Sequence, residues 1–411
     1  MKKKAASGIT LTLLLIGITL AFNIQPVKAT GGTIYIRADG SVDPAEAPIQ
    51  RDGDLYTFTD NIYEEIRVER DNVVVDGADY VIQGTGAYPS KGIASWNRQN
   101  ITIMNVEIKA FYIGIGFYWS SNNTIFRNNI TANIIWGIDL YYSSNNSISE
   151  NNIVADETCQ SGNVGMHLQG SSNNNIAGNN ITNTDIGIYL YYSSKSSIYG
   201  NCITANDWYG LALDYSSNNN IVGNNITNNA NGIIFSESSN NTIYHNNFID
   251  NTRQVFNWPF GTPSINTWDD GYPSGGNYWS DYTSVDEKNG PNQDKQGSDG
   301  IGDTHYVIDA NNQDRYPFMN PWTPFPKTIG QLKTTIEELW SQGKIYNQGV
   351  VKSLTAKLNV AKSLTDMGRI NQAKTVLEAF VTQVQRLSEV LIEKEAAELL
   401  LKSAKYILTT L

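Results

Sequence analysis

Cysteine is nearly absent. Cys159 and Cys202 are the two in 411 residues, too few for a disulfide framework or a sulfur-rich metal site. Histidine is equally scarce, with His167, His245 and His305, and the five methionines are scattered. Basic residues are few through the body of the chain. Residues 30–328 hold 14 Lys and Arg against 32 Asp and Glu, a balance of −18, whereas residues 329–411 hold 11 against 8. A nucleic-acid partner calls for clustered Lys and Arg, so none is expected. The acidic body suits solubility outside the cell and cation binding. Long apolar runs are missing too, apart from the uncharged stretch Ile9 to Phe22, which is shorter than the ~20 residues a spanning helix needs. Lys2-Lys3-Lys4 precede it and Val27-Lys28-Ala29 follow it, the layout of a secretory signal. Residues 1–29 are therefore expected to be a cleaved signal peptide. The mature product is then secreted or cell-surface associated, with no membrane span.

What the chain has in abundance is a repeat. From Asn122 onward the segments read NNTIFRNNIT, NNSISENNIV, NNNIAGNNIT, SSIYGNCIT, NNNIVGNNIT and NNTIYHNNFI. The isoleucines Ile125, Ile148, Ile176, Ile198, Ile221 and Ile243 are spaced 23, 28, 22, 23 and 22 apart. The asparagines Asn128, Asn151, Asn179, Asn201, Asn224 and Asn246 keep the same series, as do the glycines Gly114, Gly137, Gly165, Gly187, Gly210 and Gly232. Three markers on one period exclude a polar disordered tract.

Each repeat contains three short pieces that alternate apolar and polar residues, centred on Ile125, on Ile130 and on Ile138 with Leu140. Asn, Ser and Gly separate them. Three short strands per 22–23 residues make one coil of a right-handed parallel β-helix, with coils stacked ~4.8 Å apart so that like positions form columns. Isoleucines fill the inside. Asparagine amides at the corners bond their copies above and below. A second polar column, Asn133, Asp156, Thr184, Asn206, Asn229 and Asn251, breaks at Asp156, where the spacing of 28 predicts that DETCQSGN (156–163) leaves the stack as a loop. A looser form of the pattern upstream, NITIMNVEI from Asn100 and NVVVDGADYVI from Asn72, extends the solenoid to about 54–257.

The repeat NNxIxxNNI…GIxL, with DNIYEEIRVERDNVVVDGADY ahead of it, resembles the NosD-type β-helix proteins, in particular their archaeal surface versions. The resemblance covers about residues 35–320 and is specific for the fold. The founding members are tied to copper delivery. This chain departs from them in having three histidines and no His/Met cluster, so no copper is expected.

Residues 258–322 lose the repeat and gain aromatics, as in WDDGYPSGGNYWSDY. An open solenoid end exposes a core layer and strand edges, so this segment is expected to cap it; exposed rings there would alternatively stack on sugars. Asn292, Asp294, Gln296, Gly297 and Asp303 then fall at positions 1, 3, 5, 6 and 12 of an EF-hand-like loop. Pro291 argues against flanking helices, so the expectation is a calcium site of oxygen ligands (Asn292, Asp294, Gln296, Asp303) without an EF-hand; the alternative is an acidic turn loop. A proline-punctuated linker (323–328) leads to residues 329–411. There the period becomes 3.6, with Ile329, Leu332, Ile336 and Leu339, then Leu354, Leu358, Ala361 and Leu364, and two further sets. Gly343 and Gly368 read as helix ends. The segment is expected to be a small bundle of about four helices. GKIYNQGVVKSLTAKLNVAKSL and AFVTQVQRLS resemble the FIMAH domain, which implies an accessory role, with other surface proteins as its partners.

Enzymatic chemistry finds little support. The first two strands present Asn, Ser and Thr outward, and only the third is varied. Its outward columns are Gly116, Asp139, His167, Tyr189, Ala212, Ile234 and Tyr118, Tyr141, Gln169, Tyr191, Asp214, Ser236. Asp139 and Asp214 lie three coils apart, ~14 Å at the stacking repeat, too wide for the ~5–9.5 Å of a glycosidase carboxylate pair. The chain shows no nucleophile elbow or zinc spacing. The expected function is a noncatalytic module that binds a polysaccharide or builds an envelope layer; the alternative is a polysaccharide lyase or hydrolase with a divergent site on this face. Asp139, Tyr141, His167, Gln169, Tyr189, Tyr191 and Asp214 are the candidate ligand residues, combining flat rings with hydrogen-bonding groups. The competing reading is a surface ladder in which His167 pairs with Asp139 and tyrosines stack on one another.

Overall fold

The structure, a computed structural model, describes residues 32–156, 159, 161–324, 326 and 328–411. The expected signal peptide lies outside the described residues. Three-residue strands at Asn-Ile-Thr and Thr-Ile-Phe positions and six-residue strands at the glycine positions wind into a parallel β-helix whose three sheets carry ten, nine and eleven strands. Pairing is in register from coil to coil, as in Ile125↔Ile148↔Ile176 on the first sheet and Ile130↔Ile153↔Ile181 on the second. The period-2 pattern therefore keeps every isoleucine inside, and Ile125, Ile148, Ile176, Ile198, Ile221 and Ile243 are each fully buried.

Corners between strands need φ > 0, which explains much of the Asn and Gly content. In one coil Asn122 (φ 60), Arg127 (φ 55) and Ala132 (φ 52) turn the chain. The marker glycines answer a different demand, close approach of the next coil. A Cβ on Gly187 would sit 2.5 Å from the Gly210 carbonyl oxygen and 2.6 Å from Ile203 Cγ2.

The expected asparagine ladder is present. Asn128, Asn151, Asn179, Asn201, Asn224 and Asn246 each donate from Nδ2 to Oδ1 of the next at 2.9–3.0 Å, and the last reaches Asn277. Each Oδ1 also accepts the backbone N–H of the asparagine before it. Buried amides are thus satisfied within their own column, which removes a cost of a few kcal/mol per group. The second polar column runs unbroken from Asn206 through Asn229 to Asn251.

The stack begins earlier than the repeat suggested, at Thr33–Ile36, which pairs in parallel with Glu65–Val68. A single TIYI strand carries alternation but none of the Asn or Gly markers. Antiparallel pieces, Val42–Asp43 and Ile49–Asp52, cover that end. At the other end the segment after Asn257 caps the core. Trp279 lies flat on Phe248 at 4.4 Å and under Tyr306 at 4.2 Å, and Trp268 meets Phe235 edge-on. Both tryptophans are buried, so these rings close the solenoid end.

Four helices follow: α1 (Ile329–Ser341), α2 (Gln348–Asp366), α3 (Ile370–Leu387) and α4 (Lys394–Thr410). Thr328 and Gln331 form a capping box at the start of α1. Gly343 and Gly368 (both φ 71) follow α1 and α2 in the left-handed conformation that ends helices. The 3.6-period residues Leu332, Ile336, Leu354, Leu358, Leu377, Phe380, Leu400 and Ala404 make one core.

Candidate functional site

The six-residue strands form the varied face, and their register is the one the glycine spacing predicts. Gly116, Asp139, His167, Tyr189, Ala212 and Ile234 are successive partners, as are Tyr118, Tyr141, Gln169, Tyr191, Asp214 and Ser236. The expected residues divide into two groups. In the upper coils, His167 Nδ1 donates to Asp139 Oδ1 at 2.9 Å, and Trp136 stacks on the imidazole at 4.5 Å. Asp139 is 2% exposed and His167 7%, so this pair lies beneath the surface rather than on it. The Tyr118 hydroxyl is pushed well above its ordinary range by burial and by the Asp139 carboxylate, and keeps its proton. Tyr141 belongs to an aromatic cluster with Trp119 and Tyr142.

In the lower coils the face opens. The Tyr189 hydroxyl donates to Asp214 Oδ2 at 3.3 Å. Burial and Asp214 push that hydroxyl up as well. Asp214 Oδ1 is buried with no hydrogen-bond partner among the described residues. Below Tyr189 the column shrinks to Ala212 and then Ile234, leaving a groove of about 400 Å³ floored by those two and walled by Trp208, Tyr209, Trp258 and Asp214. Trp208 is 43% exposed and Trp258 42%. A larger crevice of about 700 Å³, lined by Pro273, Phe318, Leu401 and Leu408, lies between the cap and α4; it sits off the varied face. Tyr191 packs on Tyr189 and on Tyr192 at one margin.

Sequence reasoning placed Ala212 and Ile234 in the correct column, but missed the groove and its far wall, Trp258. The available signal was the drop in side-chain size from Tyr189 to Ala212. It also missed the edge ladder of Trp119, Tyr142, Tyr192 and Tyr215. These are exposed rings on positive-φ corners, with Tyr192 and Tyr215 stacked at 4.8 Å. In the acidic loop, Asp303 accepts the Glu287 and Lys288 amides, and Asp286 accepts those of Asp299 and Gly300. No group of three or more His, Cys, Asp or Glu placed to hold a metal ion occurs among the described residues.

Fold and face together define a parallel β-helix protein with a helical C-terminal module. A family model described as periplasmic copper-binding protein (NosD) matches residues 70–284, over half of the chain, and the chain belongs to that family. The FIMAH domain matches residues 329–409. No curated protein matches the chain. Similar solved structures include a double mutant of the periplasmic alginate epimerase AlgG, at 17% identity over 53% of this chain and 69% of that one, TM-score 0.38. Dettilon tailspike protein is similar at 17% identity over 49% and 47%, TM-score 0.39, and the A-module of Azotobacter vinelandii mannuronan C-5 epimerase AlgE6 at 15% over 52% and 65%, TM-score 0.35. At these identities the likeness concerns the fold alone.

The family description raises copper, and the donors present do not suit it. His167 is committed to Asp139, His245 Nε2 bonds the Ser274 carbonyl under Trp322, and His305 faces Gln313. Cys159 Sγ faces the Asn133 carbonyl. These imidazoles and the thiol lie apart, each with its own partner, whereas copper needs several converging N and S donors. Among the described residues no helix is long and apolar enough to cross a membrane.

Proposed function

We propose that the protein is a secreted or envelope-located glycan-binding module that engages saccharide at the groove of the lower coils. The observation that carries this reading is two half-exposed tryptophans, Trp208 and Trp258, lining one groove over an apolar Ala212–Ile234 floor, with the Asp214 carboxylate in the same lining. Flat rings suit the C–H faces of sugars, and a carboxylate oxygen accepts their hydroxyls. Tyr189, Tyr191 and Asp214 stay in the proposed site. Asp139, His167, Tyr141 and Gln169 become its support. The FIMAH module is the proposed attachment unit toward other surface proteins. A calcium role for the 292–303 loop belongs to the same proposal, and a calcium titration of wild type against Asp294→Asn checks it.

The enzymatic alternative draws less support. The one His–carboxylate pair on this face is covered, and Asp139 and Asp214 are separated by three coils, ~14 Å. Affinity electrophoresis of the secreted full chain in gels carrying different polysaccharides tests the reading, with a reducing-end assay alongside. Retardation in at least one gel is expected, abolished by the groove-filling Ala212→Trp and without new reducing ends. Release of sugar ends would favour the polysaccharide lyase or hydrolase instead.

A further inference from the structure

The groove's charge says which saccharides fit. Among the described residues, Asp214 is its one charged lining residue, and no Lys or Arg lines it. Around it stand more acids. Glu237 follows Ser236 and accepts the Tyr215 hydroxyl at 3.0 Å, and Asp207 precedes Trp208 and is exposed. The nearest cation along these columns is Arg253, one coil beyond Asn231. Its guanidinium is folded over the Phe256 ring at 4.7 Å and is not part of the lining. Lys195 is exposed in the turn after Tyr192. The wider body carries the −18 balance between residues 30 and 328.

A uronate or sulfated residue entering this groove would bring its charge against Asp214 and Glu237, with no cation among the described lining residues to receive it. Like charges a few ångströms apart near a protein surface repel strongly enough to cost tenfold or more in affinity at low salt. A neutral sugar meets no such penalty, and its hydroxyls are free to donate to the groove-lining Asp214 carboxylate, whose Oδ2 also accepts the Tyr189 hydroxyl.

We propose that the groove between Trp208 and Trp258 selects uncharged saccharides and rejects uronate and sulfated chains. This rests on the glycan-binding reading above. It takes the ligand to be a neutral hexose or pentose polymer, with Asp214 as the hydroxyl acceptor and the two tryptophans as stacking platforms.

The test measures binding of the secreted full chain to laminarin, xylan and mannan, and to alginate and polygalacturonate, by calorimetry at about 20 mM and about 500 mM salt. At least one neutral polymer is expected to bind, weakened at least tenfold by Trp208→Ala and by Trp258→Ala at unchanged thermal midpoint. Uronates are expected to bind at least tenfold more weakly at low salt. Asp214→Asn is expected to weaken the neutral ligand while narrowing its advantage over uronates. Uronates binding as tightly as neutral chains at low salt, in a manner lost in Arg253→Ala, would overturn the charge selection and leave glycan binding standing. No binding to any of the five polymers would overturn both.

Discussion

The backbone N–H of Asn277 donates to Asp314 Oδ2 at 2.7 Å, and Asp314 is where the asparagine ladder stops. Every amide in the column donates toward the C-terminal end, so its last acceptor is a carboxylate, which also takes the Trp279 indole N–H at 2.9 Å and the Tyr316 amide. Aligned hydrogen bonds polarise one another, and the carboxyl group at the acceptor end, which only accepts from these donors, completes the series.

That carboxylate gives a pH prediction. Burial pushes Asp314 up to about 7, against the opposing pull of the Asn277, Trp279 and Tyr316 donors. A carboxyl raised in the folded state binds its proton more tightly there than in the unfolded chain. Its stabilising contribution is full below the unfolded value near 4 and is lost as pH rises through about 7. The thermal midpoint of the solenoid is expected to fall between pH 4.5 and 7.5, and Asp314→Asn to flatten that slope while lowering the midpoint throughout. Equal slopes in both proteins would show that Asp314 is not the group responsible.

The ladder's middle should be far more sensitive than its neighbours on the surface. Asn201 donates to the Ile176 carbonyl and to Asn224, and accepts the amide and the side chain of Asn179. Asn201→Ala strands several buried groups at once, a loss of about 3 kcal/mol or more. Asn180, one coil up and exposed, bonds Asn152 alone among its side-chain partners, and Asn180→Ala should cost less than about 0.5 kcal/mol. Paired denaturant melts measure the gap, and a difference under about 1 kcal/mol would refute the ladder's role.

Most of this architecture was legible because the columns are chemically pure. Ile125 and its copies, Asn128 and its copies and Gly114 and its copies each answer a single local demand repeated at every coil. Spacing alone therefore identifies inside, corner and close approach. The helical module was legible for the same reason, through Leu332, Leu354 and Phe380 on a 3.6 period. The first strand, Thr33–Ile36, was missed because one copy makes no period. The site was half legible. Register placed Asp139 beside His167 and Tyr189 beside Ala212, but which of them faces solvent depends on a neighbouring column. Trp136 leans across to cover His167, and Trp258, beyond the last repeat, walls the groove. Side-chain lean is not encoded in a spacing.

Close approach makes the glycine column testable without invoking φ. Gly187→Ala places a methyl group 2.5 Å from the Gly210 carbonyl oxygen and 2.6 Å from Ile203 Cγ2, so two coils must part. Overpacking of this kind costs about 1–3 kcal/mol. Gly200→Ala should act by another route, since nothing lies within 4 Å of its Cβ position and only φ 64 opposes it, a cost of about 1 kcal/mol. Thermal midpoints of the two variants are expected to rank in that order, and the reverse order would mean that the coil spacing yields more easily than the corner.

The Asp139–His167 pair separates the two readings of this face. It sits in the binding columns, yet Trp136 and the surrounding strands leave it almost no exposed area. A buried charged hydrogen bond broken on one side leaves the other partner desolvated, at a cost of about 3–5 kcal/mol. Asp139→Ala and His167→Ala should therefore both lower the thermal midpoint sharply. Because both residues lie under the surface one or more coils above the groove, saccharide affinity of the still-folded variants is expected to stay within about twofold of wild type, which is under about 0.5 kcal/mol. The double variant should cost little more than either single one, since the two residues act as one unit. Affinity and melting measured on the same samples decide the matter. If Asp139→Ala keeps its midpoint and loses saccharide binding, the pair contacts ligand directly, and the site extends up the face through Tyr189 to the coil of Trp136.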